Sequence, residues 1–312
     1  MNWSKDALIS KAKIYFSRAF EEERDSLFFG LNCALGLELL ARAALAKISP
    51  TLLADPSSQT NLFYALGLKE EGVKPSSIVS NKVIKLCGEL ISDFNTDLQK
   101  VCILILERRN EELHTGGGGF AEYNIDNWIA GFYKACQVLG SFIGENFETL
   151  FGREVAREAN QIILQDTEKI KKTVLDKISA RKKTYDEDFA NRPEEIKEQI
   201  TLSKKRMMEL VHSGYHKVEC PCCKNEAVIW GFEPLSSHDT IEDDFVIVRK
   251  AITANFFRCD VCKLKLTSYA ELKAAGLPLH FTNTYQFDPT EYFGIDVDSA
   301  KEIGYAEEYS NE

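Results

Sequence analysis

Two short cysteine turns near the carboxy terminus constrain this chain more than any other feature of its sequence. "CPCC" pairs Cys220 with Cys223, and "CDVC" pairs Cys259 with Cys262 after roughly 35 residues of strand-like sequence. A C-x-x-C turn aims two thiolates at one ion, and two such turns complete the tetrahedral sulfur cage that zinc favours. The spacing predicts a structural Zn2+ held by Cys220, Cys223, Cys259 and Cys262, with no open position for substrate. Cys222 lies inside the first turn and His212 and His216 lie just upstream as alternative ligands, but the paired spacing selects the four.

The remaining cysteines are used differently. The chain has nine, and Cys33, Cys87, Cys102 and Cys136 each stand alone among apolar residues at helical spacing. That scatter reads as buried free thiols in a reducing compartment rather than a disulfide framework. The amino terminus, "MNWSKDALISKAKIYF", shows no apolar signal segment, and the longest clean apolar run, "VCILIL", is too short to span a bilayer. The expectation is a cytoplasmic chain without a membrane segment. A net charge of −10 argues against a protein that coats nucleic acid non-specifically, so any such contact must be local.

The patterning predicts a mainly α chain in three parts. Residues 1–152 read as a helical bundle of four or five helices, with "SLFFGLNCALGLELLARAALAKI" the strongest and Pro50 stopping it. Ser77 or Ser80 is a candidate cap for the next element, and Thr96 starts "TDLQKVCILILERRNEEL". "NIDNWIAGFYKACQVLGSFIGENFETLF" reads as one further helix. Residues 153–215 read as a charged helical hairpin or arm with apolar stripes through Ile163, Ile170, Val174 and Ile178, then Ile196, Ile200, Met207 and Leu210. Its basic residues, Lys169 to Lys183 and Lys204 to Arg206, read first as a solvated face and second as a phosphate track. Residues 216–312 read as a small β-rich ribbon with an acidic tail: "EAVIWGF" and "DDFVIVRKAITANFFRC" are strands, and "SYAELKAAGL" is a short helix. Trp230, Phe232, Phe256 and Phe257 read as core before they read as base-stacking groups.

One stretch of the bundle carries chemistry. "RRNEELHTGGGGF", residues 108–120, sets Arg109, Asn110 and His114 close together ahead of four glycines. On an unbroken helix Arg109 and His114 would point roughly 140° apart. A left-handed cap at Gly116 would end the helix and let the chain turn back at His114. The simpler alternative is that these side chains only decorate a helix end.

Arg109-Asn110-Glu111-Glu112-Leu113-His114 resembles the R-x(4–6)-H motif of the HEPN superfamily, including the polar residue after the Arg. The resemblance covers about the first 150 residues, with "ALGLELLARAALAKISPTLL" and "DLQKVCILILERRNEELHTG" in support, and the carboxy-terminal part resembles zinc ribbons that accompany some HEPN proteins. It implies a HEPN-like bundle and a metal-independent endoribonuclease acting on RNA as a homodimer, a toxin or antiviral effector, for which a regulatory protein encoded nearby is a candidate partner. His114 would act as base or acid, Arg109 would clamp the phosphate, and Asn110 would orient the phosphate or the imidazole. Gly116 stands where partner-silenced HEPN toxins tend to carry a Tyr, which puts control by AMP transfer in doubt. The competing expectations are a non-catalytic HEPN dimer serving as an assembly or sensor module and, less favoured by the acidic charge, a zinc-ribbon DNA-binding regulator.

Overall fold

A computed structural model describes residues 3–68, 74–212, 214–233 and 237–294. The acidic tail from residue 295 onward lies outside the described residues, as does the side chain of His212. The chain is mainly helical with one small antiparallel sheet.

The first helices are α1 (Lys5–Glu21), α2 (Leu27–Ile48), α3 (Gln59–Ala65), α4 (Ser80–Leu90), α5 (Thr96–His114), α6 (Ile129–Ile143) and α7 (Phe147–Phe151), with short 3-10 turns at Pro50–Leu53 and Ile125–Asn127. Helix α2 is the hub, packing on α1, α4, α5 and α6. It is long and apolar enough to cross a membrane by length and composition alone, which the uninterrupted-run criterion overlooked. Many of its apolar residues are buried in the bundle core, Phe29, Cys33, Leu37, Leu40 and Leu45 among them, whereas Phe28 and Ile48 are exposed. Aromatic rings complete that core, with Phe16 edge-on to Phe151 at 4.9 Å and Phe132 against Tyr133 at 5.3 Å. Each such pair contributes about 0.5–1.5 kcal/mol beyond the area it buries.

The boundaries differ from the sequence expectation where local polar chemistry intervenes. The segment read as one helix over residues 124–151 is divided, because Gly144 takes a left-handed conformation (φ 89°) and Asn146 and Thr149 form a reciprocal cap for α7. Helix α5 starts at Thr96 as read, with Asn95 capping it by accepting from the backbone N–H groups of Asp97 and Leu98. Val79 precedes α4 with no side-chain cap, so neither Ser77 nor Ser80 has the expected role.

The charged stretch forms α8 (Arg153–Asn191) and α9 (Pro193–His212). The basic residues noted above are exposed. Helix α9 also packs on β1 (His216–Glu219) and β2 (Glu226–Phe232). The sheet continues through β3 (His238–Glu242), β4 (Phe245–Arg258) and β5 (Lys265–Leu266); after α10 (Tyr269–Ala274) come β6 (His280–Phe287) and α11 (Pro289–Phe293). β4 is the central strand, pairing antiparallel with β2, β3, β5 and β6. The described residues divide into two compact units, one of the residues up to 177 together with 268–275, the other of residues 178–267 together with those from 276 to 294.

Candidate functional site

In the sheet unit, strand pairing brings the two cysteine turns to one place. The first turn joins β1 to β2, the second joins β4 to β5, and β2 pairs with β4 through Val228 opposite Arg258. Each turn is closed the same way: Cys220 N–H donates to Asn225 O (2.9 Å) and Cys259 N–H to Leu264 O (3.0 Å). The residue after each second cysteine, Lys224 and Lys263, has φ 61°, a left-handed conformation that costs a non-glycine residue about 1–2 kcal/mol. Such repeated strain persists only where the surrounding structure fixes it.

The sulfur atoms of Cys220, Cys223, Cys259 and Cys262 all lie within 4.8 Å of one another. Cys220 is 3.6 Å from Cys262, and Cys223 is 3.6 Å from Cys259. A tetrahedral thiolate cage with a metal–sulfur bond of about 2.3 Å requires sulfur separations of about 3.8 Å, so the four could hold a metal ion with little movement. Hydrogen bonding from Cys220 favours the Cys223 thiolate, and the other three thiols are correspondingly pushed up. Cys222 is buried but outside this group. His216 is stacked on Phe281 at 4.9 Å instead of being directed to the sulfurs. Of the aromatic residues read as core, Phe257 is buried, whereas Trp230 and Phe256 are half-buried and stack at 5.4 Å, and Phe232 is exposed.

In the helical unit, Arg109 is held in a half-buried polar network. Its guanidinium donates to Glu38, to Ser80 Oγ (3.2 Å), and through Nε (3.1 Å) and Nη2 (2.8 Å) to Asn110 Oδ1. Arg42 grips Glu38 through Nε (2.9 Å) and Nη2 (2.8 Å), and also donates to Ser77 Oγ (3.1 Å) and Ile78 O (2.9 Å). Burial opposes ionisation of Glu38, but Arg42 and Arg109 outweigh it and hold the carboxyl below its ordinary value. Two guanidiniums thus share one carboxylate. Ser77 and Ser80, read as helix caps, serve the two arginines. Asn110 Oδ1 is a hydrogen-bond partner of Arg109.

His114 is exposed on the last turn of α5. The expected break at Gly116 does not occur: Thr115, in an extended conformation (φ −129°, ψ 170°), ends the helix, and Gly116 lacks a left-handed backbone. The chain does turn back along α5, by another device. Gly119 lies so close to the helix that a Cβ there would meet Arg108 O at 2.2 Å, and Phe120 N–H donates to the Glu112 carboxylate (3.4 Å). With α5 unbroken through His114, Arg109 and His114 diverge around its axis by roughly 140° and stand about 7.5 Å apart along it. One chain therefore brings Arg109 together with Asn110, Glu38 and Arg42, but not with His114. Glu38 and Arg42 escaped the sequence reading; their i, i+4 spacing on a strongly apolar helix was the available signal.

Comparison with protein-family models, characterised proteins and solved structures gives no match for this chain.

Proposed function

We propose that the chain is a HEPN-type endoribonuclease whose site is completed by a second copy, with a structural zinc ion on Cys220, Cys223, Cys259 and Cys262. The observation that carries the reading is the pair of guanidiniums sharing one carboxylate: Arg42 and Arg109 outnumber Glu38 by one charge, and a half-buried positive surplus suits a phosphodiester. His114 diverges from Arg109 on its own helix, so the reading needs a cleft shared by two copies, lined by the arginines and the imidazoles of both. In the reaction, one His114 takes the proton of the RNA 2′-hydroxyl, the 2′-oxygen bonds to phosphorus, and the 5′-oxygen leaves with a proton from the other His114. Arg109 balances the charge on the phosphorane, and Asn110 keeps the guanidinium oriented. Zinc would hold its four thiolates together and take no part in the chemistry.

A second reading, the non-catalytic assembly module, is favoured by the contact of Arg109 with Glu38, which already partly neutralises the guanidinium. Induced expression of wild type and His114→Ala, with RNA profiling, separates the two. The ribonuclease reading expects growth arrest and cleaved RNA bearing 2′,3′-cyclic phosphate and 5′-hydroxyl ends for wild type only, with DNA of the same sequence untouched. Unchanged RNA and equal growth effects for both forms would leave the module.

A further inference from the structure

We propose that a cleft of the helical unit, lined by α6, α7 and the start of α8, binds an acidic dipeptide or an amino-acid derivative of that size and charge. The cleft encloses about 570 Å3, within the range of small-molecule sites. Phe147 and Ala156, both buried, line it with apolar surface. Its polar groups come from three places. Arg153, Arg157 and Asn160 are four and three residues apart on α8 and so share one face, and Gln137 and Ser141 share a face of α6 in the same way. Glu145 and Glu148 are supplied by the turn into α7 and by its first turn.

The charges select the ligand. Glu145 is already answered by Lys13 Nζ at 3.0 Å. Arg153, Arg157 and Glu148 form no ion pair among the described residues, so two guanidiniums and one carboxylate are left to face a ligand. The stems of the two arginines are one helical turn apart, about 6 Å along the axis. That is comparable to the span between the terminal and side-chain carboxylates of a short acidic peptide, and each guanidinium can take one carboxylate in a bidentate pair. A single phosphate would need both forks on one group and would leave Glu148 facing an anion. A dicarboxylate with no amine would do the same. An ammonium on the ligand answers Glu148, and the ligand's remaining negative charge matches the surplus positive charge of the site. Gln137, Ser141 and Asn160 supply donors and acceptors for a peptide bond. Asn160 Nδ2 donates to Ala156 O (2.9 Å), leaving its Oδ1 to accept. A free amino acid would leave much of the cleft empty, which sets the size.

The test uses the full-length chain and reads binding, not RNA cleavage, so it stands or falls apart from the ribonuclease reading. Alanyl-glutamate, glutamyl-alanine, alanyl-aspartate and aspartyl-alanine are titrated by calorimetry, alongside alanyl-alanine, succinate and inorganic phosphate. The expected result is that at least one acidic dipeptide binds with a dissociation constant below about 1 mM, and that its N-acetyl form and the three other probes each bind at least about tenfold more weakly. Arg153→Ala and Arg157→Ala, both at exposed helix positions, should each weaken the best dipeptide about tenfold or more. Glu148→Gln should weaken the free dipeptide and abolish its advantage over the N-acetyl form. Lys85→Ala, at an exposed position on α4, should leave the affinity unchanged. The proposal is overturned if none of the four acidic dipeptides binds to the folded protein, or if alanyl-alanine, succinate or phosphate equals the best of them. It is equally overturned if N-acetylation has no effect or if Arg157→Ala leaves the affinity intact.

Discussion

The two units use the same residue type for opposite ends. In the helical unit Cys33, Cys87, Cys102 and Cys136 come from four different helices and are fully buried among apolar side chains. In the sheet unit four cysteines come from two tight turns and converge on one point. Burial raises the bundle thiols, Cys87 to about 12, because a thiolate there would lose its hydration with no counter-charge in return. In the sheet unit the thiols compete for protons with one another, and a cation is what would satisfy them all. The difference lies in the backbone: a helix separates its cysteines, whereas a closed C-x-x-C turn holds two together before any metal arrives.

The largest effect that could break this comparison is metal removal. Stripping the ion with a strong chelator, or replacing Cys259 by Ser, should release about one metal per chain and open the sheet to hydrogen exchange. The apparent binding energy of such sites is on the order of 10–16 kcal/mol. The bundle helices should keep their protection, and so should the metal content of Cys102→Ser. Unchanged exchange in β2 and β4 after metal loss would mean that the sheet unit is held by its apolar core instead.

A smaller effect concerns alkaline pH. A thiol raised by folding contributes stability that is whole below its ordinary value of 9.0 and is lost as pH rises toward the folded value of about 12. The bundle should therefore weaken between those limits. At the lower end of that range the chelated metal-site thiols should react with a disulfide reagent at once, and Cys33, Cys87, Cys102 and Cys136 only as the bundle unfolds. Prompt labelling of more than the sheet-unit thiols would show that the bundle cysteines are not sealed.

The smallest effect sharpens the account of the turns. Lys224→Gly and Lys263→Gly relieve the left-handed strain and should each slow metal release and stabilise the sheet unit by about 0.5–1 kcal/mol. A loss of stability in both would show that the lysine side chains contribute more than their backbones cost.

What could be read from the sequence follows the range of the interactions. The thiol cluster was legible because each half is local and the intervening residues are β-branched and aromatic. Strands β2 and β4 were legible for the same reason, whereas β6, "HFTNTYQF", was passed over although its alternating Phe, Tyr and Phe carry a strand pattern. The Arg109 network was not legible. Glu38 is 71 positions from Arg109 and Ser77 is 35 from Arg42, so only tertiary packing joins them, and locally both serines carry the pattern of caps. The four glycines were read for their backbone freedom. The structure uses one of them, Gly119, for its lack of a side chain.

The short helix α10 has a consequence for how the protein is made. It belongs to the first unit, where its Ala270 N–H donates to Asp97 Oδ2 at the start of α5 (3.1 Å), yet it follows all four clustered cysteines in the chain. During synthesis the cysteine turns leave the ribosome before the piece that completes the bundle. The order of translation thus runs against the order of the units, and a truncation that ends after α7 would yield a bundle lacking one of its parts.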